Sequence, residues 1–145
     1  MWPRLARTAA NEQVFRGFDP ELTRLSPGRD PYMEMGSHPD VVERVMDQLG
    51  AALPVDCRFL ADGRAVLAHP ATGRILAMPY GTAYALWLPE DACVEAKRSG
   101  LLSTRRWSNG ILTDLERQIG PGWLFGAWHA DEERWLRAAY DAFNS

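Results

Sequence analysis

Residues Gly73–Leu88 read GRILAMPYGTAYALWL, the most continuous apolar run in the chain. Gly81 tolerates positive φ and permits a tight turn inside it. The run then divides into two strands, Arg74–Tyr80 and Thr82–Leu88. Successive side chains on a strand point to opposite faces. Tyr84, Leu86 and Leu88 share one face of the second strand, and Ala83, Ala85 and Trp87 share the other. Neither face is polar. A strand with one wet face alternates apolar with polar residues. The run therefore predicts a sheet covered on both sides, by the chain's own helices or by a second copy of the chain.

Upstream, Pro70-Ala71-Thr72-Gly73 is turn chemistry between Val66–His69 and Arg74–Tyr80, which reads as a hairpin. Val55–Leu60 alternates Val55, Cys57 and Phe59 against Asp56 and Arg58, the pattern of an edge or half-exposed strand. Asp62-Gly63 is a hairpin turn signal that joins it to Arg64–His69. Four strands joined by short turns make an antiparallel meander.

Helices flank it. Ser37 is a candidate N-cap, Pro39 suits a first turn, and Val41, Val42, Val45, Met46 and Leu49 form one helical face ended by Gly50 and Pro54. Pro89-Glu90-Asp91 opens a second helix, with Ala92, Cys93 and Ala96 on its inner side and Gly100 at its end. Leu101–Trp107 reads as irregular. Asn109-Gly110 is compatible with a hairpin, but the spacing of Ile111, Leu112, Leu115 and Ile119 favours a helix over Ile111–Ile119. Trp123–Trp128 is a further strand without a polar face. Asp131-Glu132-Glu133 begins a last helix, with Trp135, Leu136, Ala139, Tyr140 and Phe143 inward.

The fold class that follows is α+β: an antiparallel meander sheet of about five strands flanked by three to four helices. Residues 1–36, broken by Pro20, Pro27, Gly28 and Pro31, read as an irregular arm, with residues 37–145 as a single domain. The arm lies over the domain or over a partner, or is a poorly ordered terminus.

Composition bounds function. At 145 residues with 46% hydrophobic content the chain suits one domain with a sizeable core. A net charge of −3 argues against non-specific nucleic-acid binding. No stretch approaches the ~20 apolar residues of a membrane span, and the N-terminus lacks the apolar core of a secretory signal. Cys57 and Cys93 form no CxxC or Cys/His cluster and read as buried small hydrophobes of a reducing cytoplasm, with a single disulfide as the alternative.

The order of elements, with Tyr84-Ala85-Leu86-Trp87-Leu88-Pro89, Gly100, Trp107, and Asp131-Glu132-Glu133 followed by Ala139-Tyr140, resembles the TfoX N-terminal-like and YjbR-like small α+β domains over about residues 38–143. The Lys/Arg-rich strands and glycine-rich first hairpin of those families are missing here. The resemblance implies a helix-flanked antiparallel sheet and a binding role, and carries over no catalytic residues.

No catalytic motif, cofactor loop or metal set is present in the pattern. His38, His69 and His129 are not spaced as helical metal pairs, and His38-Pro39-Asp40 opens a helix instead of linking two. The ligand-binding candidates are Arg105, Arg106 and Trp107, near Lys97 and Arg98. Guanidinium forks bind carboxylate or phosphate, and an indole stacks rings or cations; the plain alternative is a solvated segment whose arginines pair with nearby carboxylates. The sequence points to a cytoplasmic, non-enzymatic binding domain, a homodimer through an apolar sheet face, with an anionic small molecule or a protein as partner. The alternative is a small enzyme whose anionic substrate is anchored by Arg105 and Arg106, with His69 or His129 as acid/base.

Overall fold

In the computed structural model, residues 2–5, 9–12, 14, 39–61, 64–80, 83–99, 102–108, 111–126 and 132–143 are described. Ser37, His38, Asp62-Gly63, Gly81-Thr82, Gly100, Asn109-Gly110, Trp128, His129 and Asp131 lie outside them.

Five strands form one antiparallel sheet: β1 (Arg58–Ala61), β2 (Arg64–Ala68), β3 (Ile75–Tyr80), β4 (Ala83–Trp87) and β7 (Trp123–Phe125), in the order β1-β2-β3-β4-β7. Residues Ala85, Leu86 and Trp87 pair with Phe125, Leu124 and Trp123, so the last strand joins the far edge of the meander. The expected α+β architecture is present. Four helices accompany the sheet among the described residues: α1 (Pro39–Glu43), α2 (Glu90–Ser99), α3 (Leu115–Ile119) and α4 (Glu132–Ala142).

Both faces of β3, β4 and β7 are dry within one copy, whereas β1 is half-exposed. Tyr84, Leu86, Leu88 and Leu124 enter a core built with Val45, Met46, Cys93, Ala96, Trp135 and Leu136. Ala83, Ala85, Trp123 and Phe125 enter a second core with Val14, Leu115 and Ile119. Each large side chain so buried contributes about 1.5–3 kcal/mol. Trp87, partly buried, stacks on Phe143 with ring centroids 4.5 Å apart. The two-sided apolarity of Gly73–Leu88 is thus met by the chain's own helices, and the sheet faces do not need a second copy.

The N-terminal residues complete this cover. Leu5 donates its N–H to the Leu60 carbonyl at 2.7 Å, and Leu60 donates to Pro3 at 2.8 Å, so Pro3–Leu5 runs along the outer edge of β1. Asn11, only 2% exposed, accepts from the Ile75 N–H at 3.0 Å and donates to the Gly73 carbonyl. Residues 15–36, the larger part of the expected arm, lie outside the described residues.

Four local expectations are corrected. The first strand begins at Arg58 instead of Val55; Leu53–Val55 bends, and Cys57 is buried ahead of the strand. The first helix is α-helical only to Glu43 and continues as a π-helical segment over Arg44–Leu49, where Gly50 donates to the Val45 carbonyl. Apolar spacing identifies the buried side, here Val45, Met46 and Leu49, but not which carbonyl receives each N–H. Leu101–Trp107 is not irregular throughout, because Arg105–Ser108 is strand β5. The helix expected over Ile111–Ile119 covers only Leu115–Ile119; Ile111–Asp114 is strand β6, the hairpin partner of β5.

One glycine is required by close approach. A β-carbon on Gly126 would lie inside the Tyr84 ring, and Gly126 donates its N–H to the Tyr84 carbonyl at 2.9 Å.

Candidate functional site

Arg105, Arg106 and Trp107 all lie on β5. The register pairs Arg105 with Asp114, Arg106 with Thr113 and Trp107 with Leu112. Alternation then sorts the side chains: Arg105, Trp107, Leu112 and Asp114 share one face, and Arg106 and Thr113 the other. The structure therefore brings Arg105 and Trp107 together and turns Arg106 away from both. Trp107 is 69% exposed and Leu112 42% exposed, so the apolar pair of this hairpin faces water.

An isolated two-stranded hairpin is marginally stable in water. This one is anchored at its base. Leu115 donates its N–H to Thr104 at 2.8 Å, and Phe125 donates to Ser103 at 2.7 Å. Asp114 closes the base twice: one oxygen accepts from Arg105 Nε at 3.3 Å, and the other accepts from the Arg117 N–H at 3.3 Å, capping α3. Arg105 remains 65% exposed in its side chain, so the ion pair itself adds little.

Lys97 does not join these arginines in a positive cluster. It bonds Glu116 at 2.6 Å, a hydrogen bond that raises the pKa of its ammonium. His69 is buried, stacks on Tyr140 at 4.6 Å, and accepts the Ala71 N–H through Nδ1 at 3.1 Å.

Lys97 and Glu116 also line a groove of about 640 Å³ between α2, the Gly120–Gly122 turn and the end of α4. Its walls include Arg74, Trp87, Val94, Ile119, Trp123 and Phe143. Gly122 sits at φ +90°, where a β-carbon would press on Trp87 Nε1 at 2.7 Å; only glycine keeps this wall closed. Sequence reasoning missed the groove. The available signal was Arg74, the single charge inside the apolar run Gly73–Leu88.

Cys57 and Cys93 are free and buried. Burial pushes the Cys57 thiol up to about 11, with the Asp56 charge adding to it. Burial likewise raises the Cys93 thiol. Among the described residues no group of three His, Cys, Asp or Glu side chains gathers to hold a metal, and no helix is long and apolar enough to cross a membrane. No family model, curated protein or solved structure matches the chain.

Proposed function

We propose that the protein is a cytoplasmic, non-enzymatic interaction domain that associates with a second copy of itself through the outer face of the β5–β6 hairpin. The observation that carries this reading is the outward placement of Trp107 beside Leu112 on a hairpin anchored at its base. A helix-flanked antiparallel sheet in a binding role is also what the likeness to the TfoX N-terminal-like and YjbR-like domains implies.

The face is self-complementary. A twofold axis parallel to the strands would lay Trp107 on the partner's Leu112 and Arg105 against the partner's Asp114, given the pairing within the hairpin. Trp107 at 69% exposure leaves up to about 170 Å² wet, taking ~250 Å² for a whole tryptophan. Stable complexes bury about 800 Å² per partner. The pair is accordingly weak, with a dissociation constant on the order of 100 µM. The alternative, an enzyme anchoring its anionic substrate with both Arg105 and Arg106, needs the two guanidiniums on one anion, and strand alternation separates them.

Sedimentation velocity from about 10 to 500 µM, bracketing that constant, tests the proposal. The mean sedimentation coefficient should rise with concentration in the native chain and stay at the monomer value in Trp107→Ser. A native chain that is monomeric across the range would refute it.

A further inference from the structure

We propose that the groove between α2 and the Gly120–Gly122 turn binds a small carboxylic acid with an apolar body, held by Arg74. This goes beyond self-association and uses none of the hairpin residues.

The guanidinium of Arg74 carries the inference. Its Cζ lies 4.1 Å from the centroid of Phe143 and 5.6 Å from that of Trp87. Among the described residues no carboxylate comes within ion-pairing distance of it, whereas Lys97, Arg105 and Arg137 each have one and Arg58 has both Asp47 and Asp56. A guanidinium packed on aromatic rings keeps N–H donors at its edge, in the fork that fits a carboxylate bidentately. The groove's own cation already occupies the aromatic shelf, so the complement that is missing is an anion.

The other charges on the walls do not supply it. Lys97 and Glu116 are bonded to each other at 2.6 Å. Glu90 is exposed to water and pairs with no cation among the described residues. Asn11 also lines the groove, with its amide already bonded to the Ile75 N–H and the Gly73 carbonyl. Val14, Ile75, Leu88, Val94, Ile119 and Trp123 are apolar and would take a hydrocarbon or aromatic body. At about 640 Å³ the space lies within the range of small-molecule sites, ~300–1,000 Å³. An inorganic anion would use Arg74 and leave those walls wet, so the ligand that fits has both parts.

The test titrates the full chain with 4-phenylbutyrate, with its uncharged amide and with inorganic phosphate. Tryptophan fluorescence is the readout, because Trp87 and Trp123 line the groove. The acid should bind with a submillimolar dissociation constant, and the amide about tenfold more weakly, as expected for one lost charge-assisted contact. Arg74→Met should erase the difference between acid and amide. Val94→Trp adds bulk on the groove wall from a residue 49% exposed, so it should keep a native circular dichroism spectrum and block the acid. Trp107→Ser should bind the acid as the native chain does, which separates this outcome from that of self-association. Equal affinity for acid and amide, phosphate binding as tight as the acid, acid binding unchanged in both groove variants, or no acid binding at about 5 mM, well above that constant, would each overturn the proposal.

Discussion

Replacing Asn11 by alanine is expected to destabilise the protein by about 3 kcal/mol. Asn11 belongs to the N-terminal segment, yet its amide is bonded at both ends to the β2–β3 connection: Oδ1 accepts the Ile75 N–H at 3.0 Å and Nδ2 donates to the Gly73 carbonyl. The residue is 2% exposed, so both bonds are made out of contact with bulk water. A buried backbone group that loses its partner costs roughly 1–3 kcal/mol, and two lose theirs. For a chain of this size the loss corresponds to a fall in Tm of roughly 10 °C. Urea unfolding followed by tryptophan fluorescence measures it, and Asn11→Asp provides a control. Aspartate keeps the acceptor for Ile75 but has no donor for Gly73, so it too should be destabilised. If alanine costs less than about 0.5 kcal/mol, the ordinary effect of a surface change, then the amide does not hold the N-terminal segment to the sheet.

Three further outcomes follow from the same geometry. Gly126→Ala should destabilise by about 3 kcal/mol or more in the same assay, because the added methyl meets the buried Tyr84 ring and either the ring or the end of β7 must move. Asp114→Ala should cost about 1 kcal/mol, since it removes the cap of α3, while Arg105→Ala should stay within about 0.5 kcal/mol because its pair is exposed; equal effects would deny the capping role. Stability should fall as pH rises from about 9, the ordinary thiol value, to about 11, because the unfolded Cys57 thiol ionises first and the buried one stays protonated. That contribution is fully present below the lower value and is worth up to roughly 2–3 kcal/mol. Cys57→Ala should flatten this part of a chemical-denaturation profile, and an unchanged slope would assign it to other groups.

How much of this was legible depended on whether the signal was local. The sheet was readable because Thr82–Leu88 and Trp123–Trp128 carry apolar residues at a period of two on both faces, a pattern set by strand geometry alone. α2 and α4 were readable for the same reason, from acids at their starts and inward apolar faces. The hairpin was misread because Ile111, Leu112, Leu115 and Ile119 fit helical spacing, while the structure uses Leu112 as the cross-strand partner of Trp107 and leaves it exposed. Apolar periodicity presumes that apolar residues face inward, and the presumption fails where they do not. The site candidates suffered from the same locality: Arg105 and Arg106 are neighbours in sequence and opposites on a strand.

By itself, then, the sequence determined an antiparallel sheet whose middle strands lack a polar face, helices to flank it, and a net charge of −3. Tertiary structure alone decided what covers that sheet. It also decided that Asn11 reaches across 64 positions to Ile75, and that Arg74 meets Phe143 beside an open groove. The physical reason is distance along the chain. Periodicity and turn chemistry are properties of a few consecutive residues, whereas burial, hydrogen-bond partners and cavities belong to residues far apart in sequence that only packing brings together.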